Sequence, residues 1–326
     1  MLSIKEYLSK PIEPDNWITI DNFNKLFKSK ENGTTIIYLT KNSNEYLQIY
    51  YKLWNYINEY DVDNVIIFSN SPDCDFPPPK RNIIEYQDKP YNDNIQYLLD
   101  EKIYKDKVET ELLDTFPNKI KHIFSHSVGI KNDKITMIPI GHDPKAIPYH
   151  NYILKLQNEF INNKINRNIL CYYNCTLPPD VIHWYGMIRR NIYQWAINTD
   201  FITVEYCKVN PRPLNDELFY NYYNKLASSK FIICPRGCGI DTYRMWDAIY
   251  MGCIPIVEKY EGYNDMTDLP ILFVNGPSDY LKLTKEYLET EYDKIINNKY
   301  NYNKLHFKYW ENKIYNLVDD ESKCSS

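Results

Sequence analysis

The stretch KFIICPRGCGIDTYRMWDAIYMGCIPIVE, residues 230–258, decides how this chain is expected to fold. The apolar residues 231–234 suit a strand buried on both faces, as the strands of parallel sheets are. Residues 243–251 carry apolar side chains at helical spacing, and Gly252 follows where a helix end favours a left-handed residue. A second apolar run at 254–257 completes a unit of strand, glycine-containing loop, short helix and strand.

The loop of this unit lies at the carboxyl end of its first strand, where open α/β sheets bind ligands. Gly237 and Gly239 allow the backbone to approach a ligand closely, and Asp241 or Thr242 is suited to cap the helix. The free N–H groups and the positive dipole end of that helix attract anions. The sequence therefore predicts a phosphate or diphosphate at this loop.

Charged side chains in the same run strengthen this prediction. Arg236 and Arg244 add positive charge at the loop, and Asp247 follows Arg244 by three residues on one helix face. There its carboxylate is expected to accept hydrogen bonds from neighbouring sugar hydroxyls. The simpler alternative is that Arg244 and Asp247 form a surface ion pair and that the glycines only turn the chain. The convergence of glycines, cap, arginine and carboxylate on one loop favours a binding site.

The run resembles the signature of exostosin-type glycosyltransferases, which reads Pro-Arg-Gly, then Ser-x-Arg-x-x-Glu-Ala-Leu-x-x-Gly-Cys-x-Pro. Asp replaces the usual Glu, and Thr the usual Ser. The resemblance implies the GT-B architecture, in which two Rossmann-like domains face a cleft and the second domain holds a nucleotide sugar. The matching residues are Pro235, Arg236, Gly237, Thr242, Arg244, Asp247, Ala248, Ile249, Gly252, Cys253 and Pro255.

A further similarity to these domains concerns Arg190 and Asn191. They are similar to an Arg-Asn pair that opens a helix in exostosin-type domains, where the arginine reaches the donor diphosphate. With Arg244, Arg190 would supply two cations for a ligand of about two negative charges. The alternative is that Arg189 and Arg190 are simply solvated.

The composition is that of a globular protein. A chain of 326 residues suits two domains of about 150 residues each. Its net charge of -5 argues against a general nucleic-acid binder. No run reaches about 18 apolar residues, so we expect a soluble protein without a transmembrane segment. Several cysteines lie in strand-like runs and are expected to be small buried apolar residues rather than metal ligands: Cys171, Cys207, Cys234 and Cys253.

Strands alternate with helices along both halves, which predicts an α/β protein with doubly wound parallel sheets. The predicted strands are 34–40, 65–69, 120–125 and 135–140, then 168–173, 201–206, 231–234, 254–257 and 271–274. Proline and glycine after the fourth strand predict a boundary near residue 150. We expect an acceptor-side domain at 1–150, with polar residues 1–33 on its surface, and a nucleotide-sugar domain at 151–326. The final helix, 302–317, is expected to pack back on the first domain.

Candidates for a general base lie at the ends of first-half strands. Asp73 and Asp75 follow the second strand, His126 follows the third, and Asp143 follows the fourth. A carboxylate, or an imidazole near its usual pKa, accepts a proton from an acceptor hydroxyl. The Asp-x-Asp spacing also suits a divalent cation, but such loops are common solvated turns, and we expect no metal. The choice among the four residues stays open.

The expected reaction is glycosyl transfer from a nucleoside diphosphate sugar, UDP in preference to GDP, to a hydroxyl of a glycan or protein. The resemblance implies inversion at the anomeric carbon, with the base on the first domain. Because Arg244, Arg190 and the helix N-terminus would stabilise the leaving diphosphate, we expect no metal and no cofactor beyond the co-substrate. The alternatives are a GT-B-type nucleotide-sugar epimerase and a catalytically inactive carbohydrate- or nucleotide-sugar-binding protein. We expect a cytoplasmic location, as in a virus-infected cell or a bacterium. The sequence indicates neither sugar, acceptor nor oligomeric state.

Overall fold

A computed structural model of the chain describes residues 1–10, 17–19, 22, 36–40, 53–55, 57–59, 65–70, 117–177, 184–207, 216–237 and 239–319. Within these residues the strands form two parallel sheets. This agrees with the predicted α/β class and with parallel pairing in both halves.

The first sheet contains four parallel strands in the order β1-β2-β3-β4. They are β1 (Ile36–Thr40), β2 (Val65–Asn70), β3 (Ile120–Ser125) and β4 (Ile135–Met137). All four predicted strands are confirmed, but β4 ends at Met137 and not at residue 140. Pro139 explains the early end, because proline has no backbone N–H to donate to a neighbouring strand.

The second sheet has the order β6-β5-β7-β8-β9, again all parallel. Its strands are β5 (Ile169–Thr176), β6 (Ile202–Cys207), β7 (Ser229–Ile233), β8 (Ile254–Glu258) and β9 (Leu272–Val274). The strand order reverses between β5 and β7. In such sheets the crevice at the carboxyl ends of the strands flanking the reversal is the usual ligand site.

Bounds are given for eight α-helices, most of which surround the second sheet, and residues 53–55 and 57–59 are helical as well. They are α1 (Ile4–Leu8), α2 (His150–Ile161), α3 (Trp184–Ala196), α4 (Asp216–Ala227), α5 (Tyr243–Tyr250), α6 (Pro277–Tyr280), α7 (Lys285–Ile296) and α8 (Phe307–Asp319). Short 3-10 segments span Pro144–Tyr149, Glu261–Met266 and Tyr302–Leu305. None of the helices in the described ranges is long and apolar enough to cross a bilayer.

The predicted end of α5 is confirmed at Gly252, which has a φ of 67°. A side chain there would be crowded as well as strained, since an added Cβ would lie 2.7 Å from Leu8 Cδ1. Glycine therefore ends the helix and also lets α1 pack against it.

The N-terminal residues differ from the expected polar surface segment. Tyr7, Leu8, Trp17 and Ile18 are buried in the core. Tyr7 stacks on Tyr302 with ring centroids 4.1 Å apart. The apolar residues in this part of the chain are few, but helix formation aligns Ile4, Tyr7 and Leu8 on one face, which packs against residues near the C-terminus.

The two sheets are joined by direct hydrogen bonds between loops. Ser127, after β3, accepts a hydrogen bond at Oγ from the backbone N–H of Ile240 at 2.8 Å. The N–H of Gly262 donates to the carbonyl of Val128 at 3.1 Å. Helix α8 also packs against β3. The carboxyl edge of the first sheet therefore contacts the loop before α5.

Candidate functional site

Arg189 spans the crevice at the reversal point of the second sheet. Its Nε donates to the carbonyl of Arg236 at 3.0 Å, and its Nη1 donates to the carbonyl of Thr176 at 3.3 Å. Thr176 ends β5 and Arg236 lies just beyond β7, so one guanidinium connects the two strands that flank the reversal. This is the position at which the fold is expected to bind a ligand.

The predicted Gly237 is adjacent to this guanidinium. A Cβ on Gly237 would lie 3.0 Å from Arg189 Nη2, closer than side chains normally approach. The N–H of Gly237 donates to the carbonyl of Gly239 at 3.1 Å, which tightens the turn. The two predicted glycines thus shape the loop around an arginine.

Two further arginines, both predicted, lie at the same edge. Arg236 is buried, with its Cζ 5.4 Å from the ring centroid of Tyr260. Arg244 is also buried, on the first turn of α5. Burial raises the pKa of Tyr173 well above its usual value, and the charges of Arg189 and Arg244 act against that rise. Both guanidiniums are therefore close enough to affect one hydroxyl, and the three arginines form what we call the arginine cluster: Arg189, Arg236 and Arg244.

Glu258, at the end of β8, is the carboxylate next to the arginine cluster. Its Oε2 accepts a hydrogen bond from the Tyr260 hydroxyl at 2.6 Å. Burial raises the pKa of Glu258, while this hydrogen bond and the charges of Arg236 and Arg189 act to lower it. Two guanidiniums, those of Arg236 and Arg189, thus act on one carboxylate in this part of the described structure, which leaves an excess of positive charge.

The beginning of α5 differs from the expected anion site. Thr242 is the N-cap residue, but its side chain makes no capping hydrogen bond. The Asp241 carboxylate lies there instead, accepting from the Thr242 N–H at 2.8 Å and the Ile140 N–H at 2.9 Å. Trp246 Nε1 also donates to it at 2.8 Å. Burial raises the pKa of Asp241 to about 7, against the effect of these hydrogen bonds.

The position of Asp241 has a consequence for the predicted site. A carboxylate of the chain itself lies beside the positive end of the helix and adds negative charge there. The arginine cluster adds positive charge at the neighbouring edge of the sheet.

Asp247 also differs from its expected position facing sugar hydroxyls. It is fully buried, and its Oδ1 accepts from His142 Nδ1 at 2.9 Å and from the Tyr223 hydroxyl at 3.1 Å. Its Oδ2 accepts from the Tyr222 hydroxyl at 3.2 Å. Neither does it form a surface ion pair with Arg244, since both residues are buried. Three side chains donate to the carboxylate, which thereby connects α4, α5 and the residues after β4.

Two of the four base candidates fall within the described residues. His126 is fully buried, its Nδ1–H donates to the carbonyl of Ile138 at 3.1 Å, and burial lowers its pKa to about 4. Asp143 is buried, after Gly141, which has a φ of 65°. Asp73 and Asp75 lie outside the described residues.

Arg190, which the sequence predicted, and its neighbour Arg189 are both partly exposed. Arg189 donates across the crevice to the carbonyls of Arg236 and Thr176. Helical spacing explains this position of Arg189, since it precedes the buried Ile192 and Ala196 by three and seven residues and so shares their face. That spacing is a signal by which Arg189 could have been found. Tyr173, Glu258 and Tyr260 were also missed, because only the folded sheet brings strand ends together.

The described residues contain no group of three or more His, Cys, Asp or Glu side chains arranged to hold a metal ion. Three of the four cysteines expected to be apolar core residues, Cys171, Cys234 and Cys253, are indeed buried free thiols. The side chain of Cys207 is outside the described part of the chain.

Comparison with known proteins finds a family match within the second half of the chain. Residues 149–269 match the family described as the RXYLT1 C-terminal domain, and this segment includes the whole arginine cluster. That family is of the exostosin-like glycosyltransferase type, in agreement with the resemblance of residues 230–258. Among solved structures, the chain is similar to the crystal structure of a glycosyltransferase from Rickettsia africae ESF-5. The identity is 14%, over 92% of this chain and 93% of that chain, with a TM-score of 0.33.

Proposed function

We propose that the protein is a glycosyltransferase that moves a sugar from a nucleoside diphosphate sugar to an acceptor hydroxyl. The observation that carries this proposal is the arginine cluster at the reversal point of the second sheet. Guanidinium groups bind phosphate oxygens with two parallel hydrogen bonds, and a buried site strengthens their effect. The similarity of residues 149–269 to an exostosin-like glycosyltransferase family supports the same reaction class.

In this proposal the two sheets are the two Rossmann-like domains of a GT-B enzyme. The second holds the donor diphosphate against Arg189, Arg236 and Arg244. The first supplies the base, for which His126, Asp143, Asp73 and Asp75 are the candidates. The acceptor and the base therefore approach the anomeric carbon from the side of the first sheet.

The chemical step follows from this arrangement. The base takes the proton of the acceptor hydroxyl, whose oxygen forms a bond to the anomeric carbon. The bond between that carbon and the β-phosphate oxygen breaks, and the nucleoside diphosphate leaves with the bonding electrons. The arginine cluster stabilises the negative charge that grows on the leaving group, so the step needs no metal, and configuration at the anomeric carbon inverts.

The test is a transfer assay with a panel of UDP- and GDP-sugars and of glycan and peptide acceptors. UDP-xylose belongs in the panel because the matched family is a xylosyltransferase family. We expect release of nucleoside diphosphate that depends on the acceptor, a glycosylated product by mass spectrometry, and inversion by proton NMR. EDTA should leave the rate unchanged.

Two outcomes contradict the proposal. One is a folded protein that binds no nucleoside diphosphate, which is the behaviour of an unrelated scaffold. The other is release of nucleoside diphosphate at the same rate with and without acceptor, accompanied by free sugar, which indicates hydrolysis.

A further inference from the structure

One carboxylate oxygen of Glu258 accepts a hydrogen bond, and the other accepts none from the described residues. The residue is 2% exposed, and its Oε2 accepts the Tyr260 hydroxyl at 2.6 Å. Its Oε1 is shielded from solvent and has no hydrogen-bond partner among the described residues. A buried polar atom left without a partner costs about 1–3 kcal/mol, and more for a charged group. Such an atom needs an explanation in a native structure.

The nearby arginines do not supply the missing donor. Arg236 is positioned over the Tyr260 ring, and both Arg236 and Arg189 affect Glu258 through their charge. No hydrogen bond from either guanidinium to Oε1 is present. The atom lies at the carboxyl end of β8, next to the end of β7 that carries the arginine cluster. A donor group of a ligand at the proposed diphosphate site would complete the hydrogen bonds of this atom.

We propose that Glu258 binds the nucleotide sugar by accepting, at Oε1, a hydrogen bond from a hydroxyl group that flanks the diphosphate. This inference rests on the proposed function. A carboxylate repels phosphate oxygens but accepts strongly from hydroxyl groups, so Glu258 and the arginine cluster select different parts of one ligand. Hydroxyls flank the diphosphate on both sides, on the ribose and on the transferred sugar, and the chemistry of recognition is the same for both.

A different role is that Glu258 only holds Arg236 in place through opposite charge. The two roles differ in their effect on pyrophosphate, which has no hydroxyl groups. If Glu258 contacts a hydroxyl, removing its charge leaves pyrophosphate binding unchanged or makes it tighter, because a negative charge near the anion is lost. If Glu258 holds Arg236, removing its charge weakens pyrophosphate binding.

The experiment compares wild type, Glu258→Gln and Glu258→Asp by calorimetric titration with pyrophosphate, UDP, 2′,3′-dideoxy-UDP and the preferred UDP-sugar. Gln keeps the size but accepts more weakly, and Asp keeps the charge but withdraws the oxygen by one methylene. Glu205→Gln is the matched control, since Glu205 also accepts a tyrosine hydroxyl, that of Tyr172 at 2.5 Å. It lies on β6, three strand positions or about 14 Å from β8.

Both Glu258 variants should bind the UDP-sugar at least fivefold more weakly and bind pyrophosphate no more weakly than wild type. A loss that already occurs with UDP and is absent with the dideoxy analogue assigns the hydroxyl to the ribose. A loss confined to the UDP-sugar assigns it to the transferred sugar. The control should bind all four ligands as wild type does.

Equal losses for all four ligands, pyrophosphate included, would overturn the inference in favour of the role in holding Arg236. Unchanged binding of every ligand in both variants would overturn it as well. A folded wild-type protein that binds none of the ligands contradicts the proposed function itself, and this inference with it. Circular dichroism shows whether each Glu258 variant folds. If one of them fails to fold, the binding data of the other test the inference.

Discussion

Asp247 is a buried acceptor surrounded by three donors. His142, Tyr222 and Tyr223 all donate to its carboxylate, which has no exposed surface. Each of these donors would lose a hydrogen bond if the carboxylate were removed. The carboxylate therefore stabilises the packing of the elements that carry them. Its position on α5 makes it a structural contact between the two halves of the chain.

Replacing Asp247 by Asn should therefore lower stability and leave nucleotide affinity unchanged. Asn loses one acceptor oxygen and places an amide group against hydroxyl donors, which should cost about 3 kcal/mol of unfolding free energy. Urea unfolding measures the loss, and the exposed Asp293→Asn on α7 is the control, expected within about 0.5 kcal/mol of wild type.

The same variant decides between two roles for Asp247. The folded Asp247→Asn protein should bind UDP within about twofold of wild type. A folded variant of normal stability that binds UDP tenfold more weakly would instead support the predicted contact between Asp247 and sugar hydroxyls.

His126 provides a prediction about pH. Its pKa is lowered to about 4 by burial, whereas an unfolded chain has a histidine pKa of about 6.5. The unfolded state therefore binds more protons between these values, so stability is fully present above pH 6.5 and is lost as pH falls towards 4.

The replacement His126→Asn removes this titration and keeps an N–H donor for Ile138. From pH 7 to pH 5, wild type should lose about 2 kcal/mol more unfolding free energy than the variant. Urea unfolding at both pH values measures this difference. Parallel losses in the two proteins would show that the pKa of His126 is not lowered in the folded state.

At the scale of elements, the residues that were predicted correctly are those whose signals are local. Strand β3 and helix α5 follow from apolar runs and helical spacing, and Gly252 follows from the rule for helix ends. Arg189 and Glu258 depend on the order in which strands pair, which is a long-range property. The Asp241 contact with Ile140 likewise joins residues that are far apart in the chain.

The requirement for glycine at the end of α5 can be tested by substitution. Gly252→Ala should destabilise the protein by about 2 kcal/mol, because alanine disfavours positive φ and its Cβ would crowd Leu8. The control is Gly129→Ala, where the nearest side-chain atom, Ile240 Cδ1, would lie at an ordinary 3.8 Å. Thermal and urea unfolding compare the two variants, and equal effects would contradict the packing of α1 on this helix end.

At the scale of the whole molecule, loops at the carboxyl ends of strands in the two sheets contact each other. Ser127 and Val128 of the first half hydrogen-bond to the loops of the second half, and Asp241 accepts from Ile140 in return. The N-terminal helix packs on the C-terminal half, which the polar composition of residues 1–33 did not indicate. The proposed function uses this contact, because it brings the base candidates of the first half close to the loops of the second half that are proposed to hold the donor.

The central claim is that the arginine cluster binds a diphosphate. Calorimetric titration of UDP into wild type, Arg189→Ala and Arg244→Ala tests it directly, with the exposed Lys155→Ala on α2 as a control for the loss of one positive charge. Each arginine variant should lose at least about 1.5 kcal/mol of binding free energy, or roughly tenfold in affinity, while the lysine variant binds as wild type does. Folded arginine variants with unchanged affinity would contradict the claim.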